Sequence, residues 1–402
     1  MFSIENIKYS LRNIKHRKTR SILTILSIFI GITTIFIFIS FGWGLYAYIQ
    51  DLSSSTSADK IIIQPRGTGA PGLDTTFKLT DEDLDAIEKT AGVYEVTGAY
   101  FKVAEVQQGH QKFYTFLVGM DPKKPMLMEI SNIGIIKGRD LQPRETGSVA
   151  LGYNYLIEDK IFPNSYDIND NIEINGQKVK IVGFYEAVGS PQDDAQIYTT
   201  NEFIEELYPN DTNSYGWVVA RVDVNNIDKV IQDVEKNLRK ERGLEEGKED
   251  FFVQSFEDMI DSYASALNII IGFVILIALI SVVVSAVNTA NTMITSVLER
   301  IKEIGIIKSI GARNSEIFTI FLFESGFLGF VAGVLGVLLG YISTYIVGRV
   351  LESLGWGFLA PYYNIYLFIG CILFATITGA ISGVWPAMNA SKINPVDALR
   401  YE

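Results

Sequence analysis

The chain has 402 residues, 48% of them hydrophobic, and a mean hydropathy of +0.21. It is too apolar for an ordinary soluble domain and too charged for an all-membrane bundle, so a few spans plus one sizeable soluble domain are expected. The net charge of −12 conceals an asymmetry: residues 51–261 hold 21 Lys+Arg and 38 Asp+Glu, whereas the remainder holds 13 and 8. An acidic soluble part beside a basic membrane part argues against nucleic-acid binding. It fits a domain held across a bilayer from the basic loops.

Residues 3–20, SIENIKYSLRNIKHRKTR, space Ile4, Ile7, Leu11 and Ile14 by three, four and three, with Lys and Arg on the other faces. This predicts a basic amphipathic helix over 1–20, suited to an anionic inner leaflet. The alternative is the basic flank of the first span. Residues 21–49 form that span, longer than the ~20 apolar residues that cross a bilayer. The run is too long for a signal-peptide core and ends in no small-residue cleavage site, so a retained anchor with a cytoplasmic N-terminus is expected.

Residues 50–261 are then extracytoplasmic. IIIQPR reads as a strand, and TDEDLDAIEKTAGV as a helix with Thr80 as N-cap and Asp83 three residues on. YEVTGAYFKVAEVQQGHQKFYTFLVGMD reads as two strands around Gln108-Gly109. Towards the far end come a strand YGWVVARVDV, a helix NIDKVIQDVEKNLRKERG and a strand EDFFVQSF. Between these flanks residues 127–208 read mainly as strands: IIKGRDL, GSVALGYNYLIEDKIF, NIEINGQKVKIVGFYEA and AQIYTTNEFIEEL. Asn175-Gly176 is a strong two-residue hairpin signal. No catalytic constellation stands out. Asp193-Asp194 after Gly189-Ser190-Pro191 reads as a polar turn rather than a cation loop, and Ser190 lacks a G-x-S-x-G context. The sequence contains no G-x-x-x-x-G-K-[ST]. His16 and His110 have no ligand-spaced neighbours, so no metal is expected. The lone cysteine, Cys371, can form no disulfide within the chain.

Residues 262–297 form the second span. Its later half carries Ser281, Ser285, Asn288, Thr289, Asn291 and Thr292, which are expected to face other helices rather than lipid. Residues 298–314 are a short loop in which Ile301, Ile304, Ile307 and Ile310 recur at helical spacing, with Ile306 beside them. Glu299, Arg300, Lys302, Glu303 and Lys308 fill other faces. Gly311 stops this amphipathic helix by taking a left-handed C-cap. Such a helix can lie on the membrane surface or present its isoleucines to a soluble partner. Residues 315–348 form the third span. Gly326, Gly329, Gly333, Gly336 and Gly340 repeat at three and four, allowing a neighbouring helix to approach closely. Glu324, among phenylalanines, is an intramembrane carboxylate and so a functional candidate. It lies only about 13 Å along the helix from Ser315, which favours a structural role. Residues 349–362 are a short external loop, 363–388 the fourth span with Gly379 and Gly383 one turn apart, and 389–402 a cytoplasmic tail.

The pattern R-x-x-E-I-G-I-x-K-x-x-G-A-x, from Arg300 to Arg313, resembles the coupling segment of the MacB/FtsX/LolC-type ABC transporter permeases. The tail, Trp385-Pro386-Ala387 and Ala390 to Arg400, is similar to that family's C-terminal signature. Gly138-Arg139, Val149 to Gly152 and Val182-Gly183-Phe184 fall in the order of a MacB-like periplasmic core domain. The resemblance implies four transmembrane α-helices with a large extracytoplasmic α+β two-lobed domain between helices 1 and 2. It divides that domain into an α+β lobe (58–126 and 213–258) and a β-rich inserted lobe (127–208). It further implies that 298–314 docks on a separate ABC ATPase, with Arg300, Glu303, Ile304, Ile307, Lys308 and Gly311 as the contacts. ATP and magnesium would sit on that partner and no cofactor on this chain, and two permeases, alike or paralogous, would pair in the bilayer. ATPase closure would push on 299–311 and tilt spans one and two, moving the external domain, in export or extraction of a peptide, lipid-linked or hydrophobic substrate. Two alternatives stay open: an FtsX-like regulator of an extracytoplasmic hydrolase, and a peptide-sensing subunit.

Overall fold

A computed structural model describes residues 18–53, 58–66, 78–131 and 133–400. The basic helix expected over 1–20 lies outside the described residues except for its last three. The chain divides into two units, one comprising Met1–Leu45, Ala266–Val350 and Leu359–Glu402, the other Tyr46–Ser265 and Leu351–Phe358. The first helix, α1, runs Lys18–Ser53 and contains the apolar run 21–49.

The second unit is built on one twisted sheet. Its strands are β1 (Lys60–Pro65), β2 (Val93–Gln108), β3 (Gln111–Met120), β4 (Ile135–Gly138), β5 (Ser148–Leu151), β6 (Asn171–Ile174), β7 (Gln177–Tyr185), β8 (Ile197–Thr200), β9 (Trp217–Val222) and β10 (Phe251–Ser255). The order is β10-β1-β9-β2-β3-β8-β5-β7-β4, with β6 paired to β2 and β7. The long β2 joins the two halves. Residues 93–99 pair with β9, and residues 100–108 pair with β3.

Alternation along the strands gives each face its own core. One face carries Ile61, Ile63, Val96, Val218 and Ala220. Against it pack helices α2 (Asp81–Glu88) and α5 (Ile227–Arg242), through Ile87, Val230, Val234 and Leu238. The opposite face carries Ala99, Val118, Ala150, Val182 and Tyr198, covered by Leu127 and Met128 of α3 (Met126–Ser131). Thr80 donates its backbone N–H to the Asp83 carboxylate at 2.9 Å, starting α2 where the sequence signal lies. Asn175 and Gly176 take φ values of 49° and 80° at the β6–β7 turn, the left-handed pair that a tight hairpin needs.

Two strand readings of this region change. AQIYTTNEFIEEL is a strand only as far as Thr200. The Thr200 hydroxyl then accepts the Phe203 N–H and starts helix α4 (Asn201–Leu207). GSVALGYNYLIEDKIF is a strand only over Ser148–Leu151, followed by a 3-10 turn at Tyr153–Leu156. β3 pairs in parallel with β8.

The remaining helices are α6 (Phe256–Glu299), α7 (Ile301–Ser309), α8 (Asn314–Leu354), α9 (Ile365–Ser391) and α10 (Pro395–Arg400). Among the described residues, α1, α6, α8 and α9 are long and apolar enough to cross a membrane. The glycine stripe of α8 lies where other helices come closest. A Cβ on Gly329 would run into the Ala375 carbonyl of α9, and one on Gly333 would sit 2.8 Å from the Ala375 methyl. Gly336 and Gly340 face Ile32 and Phe36 of α1, where a Cβ would meet side chains at 3.0 and 2.9 Å. Gly326 is looser, with 3.6 Å to Ala380. Close backbone approach of this kind drives helix association where lipid offers no hydrophobic gain. On α6, Ser285 donates to the Ser27 carbonyl of α1 at 2.8 Å, and Asn288 to the Ser27 hydroxyl at 2.6 Å.

Candidate functional site

The segment from Arg300 to Asn314 links α6 to α8. Arg300 interrupts the path from α6 to α7 with φ −108° and ψ 14°. Gly311, at φ +106°, ends the turn after α7 in a conformation an L side chain rarely adopts. Arg313 donates its N–H to Glu316 at 3.0 Å as α8 begins.

Between these breaks α7 is held by an apolar contact on its inner face. Ile304 is buried in a cluster with Met293 and Val297 of α6, Ile317 and Phe321 of α8, and Ala387 and Ala390 of α9; Ile307 packs against its edge. Lys308 Nζ donates to the Ser391 and Ile393 carbonyls at 2.9 and 2.6 Å. The Ser391 carbonyl is the last of α9, where a cation is favoured by the helix dipole, and Ile393 lies two residues beyond.

At the other end of α7, Arg300 Nη1 lies 3.1 Å from Glu324 Oε2 on α8, with the two side chains only 4% and 9% exposed. Arg300 Nε reaches Glu303 at 3.3 Å, and the guanidinium lies over the Phe321 ring, 5.1 Å from its centroid. A buried pair of this kind is costly to break from one side, about 3–5 kcal/mol, because the other charge is left without compensation. Glu324 thus has Arg300 as its counter-charge.

Four of the six expected docking residues lie at or near the contacts α7 makes with its own chain, and two are exposed. Arg300 and Ile304 are buried, and Lys308 is turned onto α9, so these three serve the inner face of the helix rather than its open surface. The helix is held inward by Ile304 and Gly305, and Ile306 and Ile310 are left outside. Ile306 and Ile310 are 52% and 82% exposed. Lys302, Glu303 and Gly311 are exposed beside them. The Arg300–Glu324 pairing was not read from the sequence. Its signal was available in part, since a carboxylate inside a span needs a cation and Arg300 follows directly on the apolar helix before it.

In the second unit, Asp193 and Asp194 form a 3-10 turn. Asp194 accepts the Val188 and Gly189 N–H groups at 2.6 and 3.1 Å, and Asp193 accepts Gln196 Nε2 at 2.9 Å. Burial raises both carboxyl pKa values. Elsewhere in this unit Arg139 forks onto Glu145 at 2.9 and 2.7 Å, holding that carboxyl down to about 2. A cavity of about 650 Å³ is lined by Asp59, Lys60, Glu129, Glu186 and Arg221 together with Met128 and Ile133. Its charges largely engage one another: Lys60 reaches Asp59 and Glu129 at 2.8 and 3.0 Å, and Arg221 reaches Glu129 at 2.8 Å.

Among the described residues, four helices long and apolar enough to cross a membrane, with a sheet domain between the first two in sequence and a short amphipathic helix between the second and third, fit a multi-pass membrane protein. Residues 21–237 match the MacB-like periplasmic core domain, and residues 266–395 match the FtsX-like permease C-terminal domain. The chain belongs to the MacB/FtsX type of ABC transporter permeases. It is 31% identical over 398 residues to an uncharacterized ABC transporter permease of Methanocaldococcus jannaschii, covering 98% of each chain. It is 27% identical to the macrolide export ATP-binding/permease protein MacB of a Shewanella species, covering 99% of this chain and 61% of that protein. The solved periplasmic region of MacB from Actinobacillus actinomycetemcomitans aligns over 54% of this chain with 12% identity and a TM-score of 0.43.

Proposed function

We propose that the chain is the membrane subunit of an ABC transporter whose ATP is hydrolysed by a separate ATPase docked on α7. The observation that carries this reading is the outer face of α7, where Ile306 and Ile310 stand exposed beside Lys302 and Glu303 while the inner face is held to α6, α8 and α9. Two isoleucines one turn apart, flanked by charges of both signs, suit a groove on a soluble partner. Lys and Arg in residues 298–314 and in the tail support a cytoplasmic position for this face and for both chain ends. The sheet domain then lies outside. In this reading ATP and magnesium belong to the partner, two permease chains pair in the bilayer, and ATPase closure moves α7 and through it the extracytoplasmic domain. Export or extraction of a peptide, lipid-linked or hydrophobic substrate belongs to the same reading, and one relative is named as a macrolide exporter.

The test is purification of the full chain from its native membranes with an ATPase assay of the eluate, beside Ile306→Asp/Ile310→Asp. The native chain is expected to bring an ATPase with it, and the double variant to lose it without a change in thermal stability. Retention of the ATPase by the double variant, or its absence from the native eluate, rejects docking on this face.

A further inference from the structure

The sheet domain holds a cavity of about 650 Å³ beside α3 and the start of β1, a volume within the range of small-molecule sites, about 300–1,000 Å³. Strand register sets its polar wall. Lys60 of β1 stands opposite Arg221 of β9, so two cations lie side by side. Glu129 of α3 reaches both through one oxygen, Oε2, at 3.0 and 2.8 Å. Asp59 takes Lys60 with Oδ1 at 2.8 Å and Arg221 with Oδ2 at 3.3 Å. Two cations thus meet two carboxylates, and Glu95 adds a third at 3.4 Å from Arg221. This wall already carries more negative than positive charge.

Glu186, the third carboxylate of the lining itself, stands apart from that network. It follows β7, and its N–H is donated to the Gly134 carbonyl at 2.9 Å, which fixes its backbone at the cavity. A Cβ on Gly134 would lie 3.6 Å from both Glu186 carboxylate oxygens, so glycine at 134 leaves that carboxylate uncovered. Among the described residues no cation forms an ion pair with Glu186. The rest of the lining includes Pro125, Met128 and Ile133, and the unbranched thioether of methionine adapts readily to a ligand's shape. A carboxylate without a counter-charge beside an apolar wall favours a ligand with a cationic head and an apolar body. The head makes a charge-assisted hydrogen bond, and the body removes apolar surface from water. The surplus of carboxylates disfavours an anion at the same place.

We propose that this cavity is a binding site for a small organic amine, with Glu186 holding the ammonium group and Pro125, Met128 and Ile133 contacting the apolar body. The site lies wholly within the sheet domain and goes beyond the docking of an ATPase on α7, on which it does not depend.

The experiment uses the full chain in phosphatidylcholine nanodiscs at neutral pH, titrated calorimetrically with 4-phenylbutylamine, with empty nanodiscs as the blank for partitioning into lipid. The amine is expected to bind the native chain above that blank. 4-Phenylbutanol, of the same shape but uncharged, is expected to bind about tenfold more weakly, the scale of one hydrogen bond to a charged group. Ethylamine, which lacks the apolar body, is expected to give no measurable heat. Glu186→Gln is expected to weaken the amine about tenfold and to leave the alcohol unchanged. Glu88→Gln makes the same charge change on α2, which packs on the other face of the sheet, and is expected to match the native chain. Glu186 is exposed, so its variant is expected to keep the native unfolding midpoint; the alcohol and ethylamine test the site on the native chain even if it does not. Amine heat no greater than the blank, equal affinity for amine and alcohol, or full binding by Glu186→Gln rejects the site. Tighter binding of 4-phenylbutanoate than of the amine overturns the ligand class, because Lys60 and Arg221 would then lead recognition.

Discussion

At the scale of single residues, charge pairing in the two units answers to different surroundings. Arg300 and Glu324 sit in an apolar setting, where neither charge is tolerable alone and together they fix the start of α7. Arg139 and Glu145 are partly open to water, with side-chain exposures of 46% and 18%, so their pairing is screened and contributes less. It nevertheless leaves a pH signature. The carboxyl of Glu145 has its ordinary value near 4.5 in the unfolded chain and about 2 in the folded one, the Arg139 hydrogen bonds being the main cause. The pair therefore stabilises the fold fully above pH 4.5 and loses that contribution as pH falls towards 2. Thermal unfolding of the native chain and of Glu145→Gln, measured from neutral pH downwards, should show a native advantage that shrinks through this window. A difference that stayed constant to pH 2 would mean the carboxylate charge is not what matters there.

At the scale of elements, the glycines of α8 differ in what they permit. Gly329 meets the Ala375 carbonyl with no room for a methyl group, whereas Gly326 faces Ala380 at 3.6 Å. Close-packed interiors do not absorb an added carbon beside backbone. Gly329→Ala should thus lower the unfolding midpoint in detergent clearly, and Gly326→Ala should leave it near the native value. Equal effects from the two would show that α8 and α9 do not meet as described. The same logic separates the isoleucines of α7. The buried Ile304 supports the packing of three neighbouring helices, while the Ile310 side chain is largely exposed.

At the scale of the whole molecule, the sheet domain contains its own core. The buried residues on both faces of the sheet lie between Ile61 and Val253, with helices α2, α3 and α5 covering them. A domain with a complete core can fold alone. A fragment spanning residues 58–258 is expected to unfold in one cooperative transition by circular dichroism. A broad, non-cooperative melt would mean that residues 351–358 or the flanking helices are needed to complete it. In this fragment the pairing of Lys60 with Asp59 and Glu129 also remains intact, since all three residues lie within it.

What the sequence by itself determined is whatever depends on local order along the chain. Apolar run length marks the spans, Asn175-Gly176 marks a hairpin, Thr80 with Asp83 marks a helix start, and the isoleucine period with Gly311 marks a short helix between spans. These signals act over a few residues, so they survive without knowledge of neighbours. The glycine period on α8 likewise marked a close-packed face, though not which helix would fill it. Only the tertiary structure decided which side of α7 faces inward, because that depends on Met293, Phe321 and Ala387 arriving from three other helices. The same holds for Arg300 and Glu324, 24 residues apart, whose burial made each the other's counter-charge. Pairing of β3 with β8 and the change from strand to helix at Thr200 were decided in the same way, by contacts between segments distant in sequence.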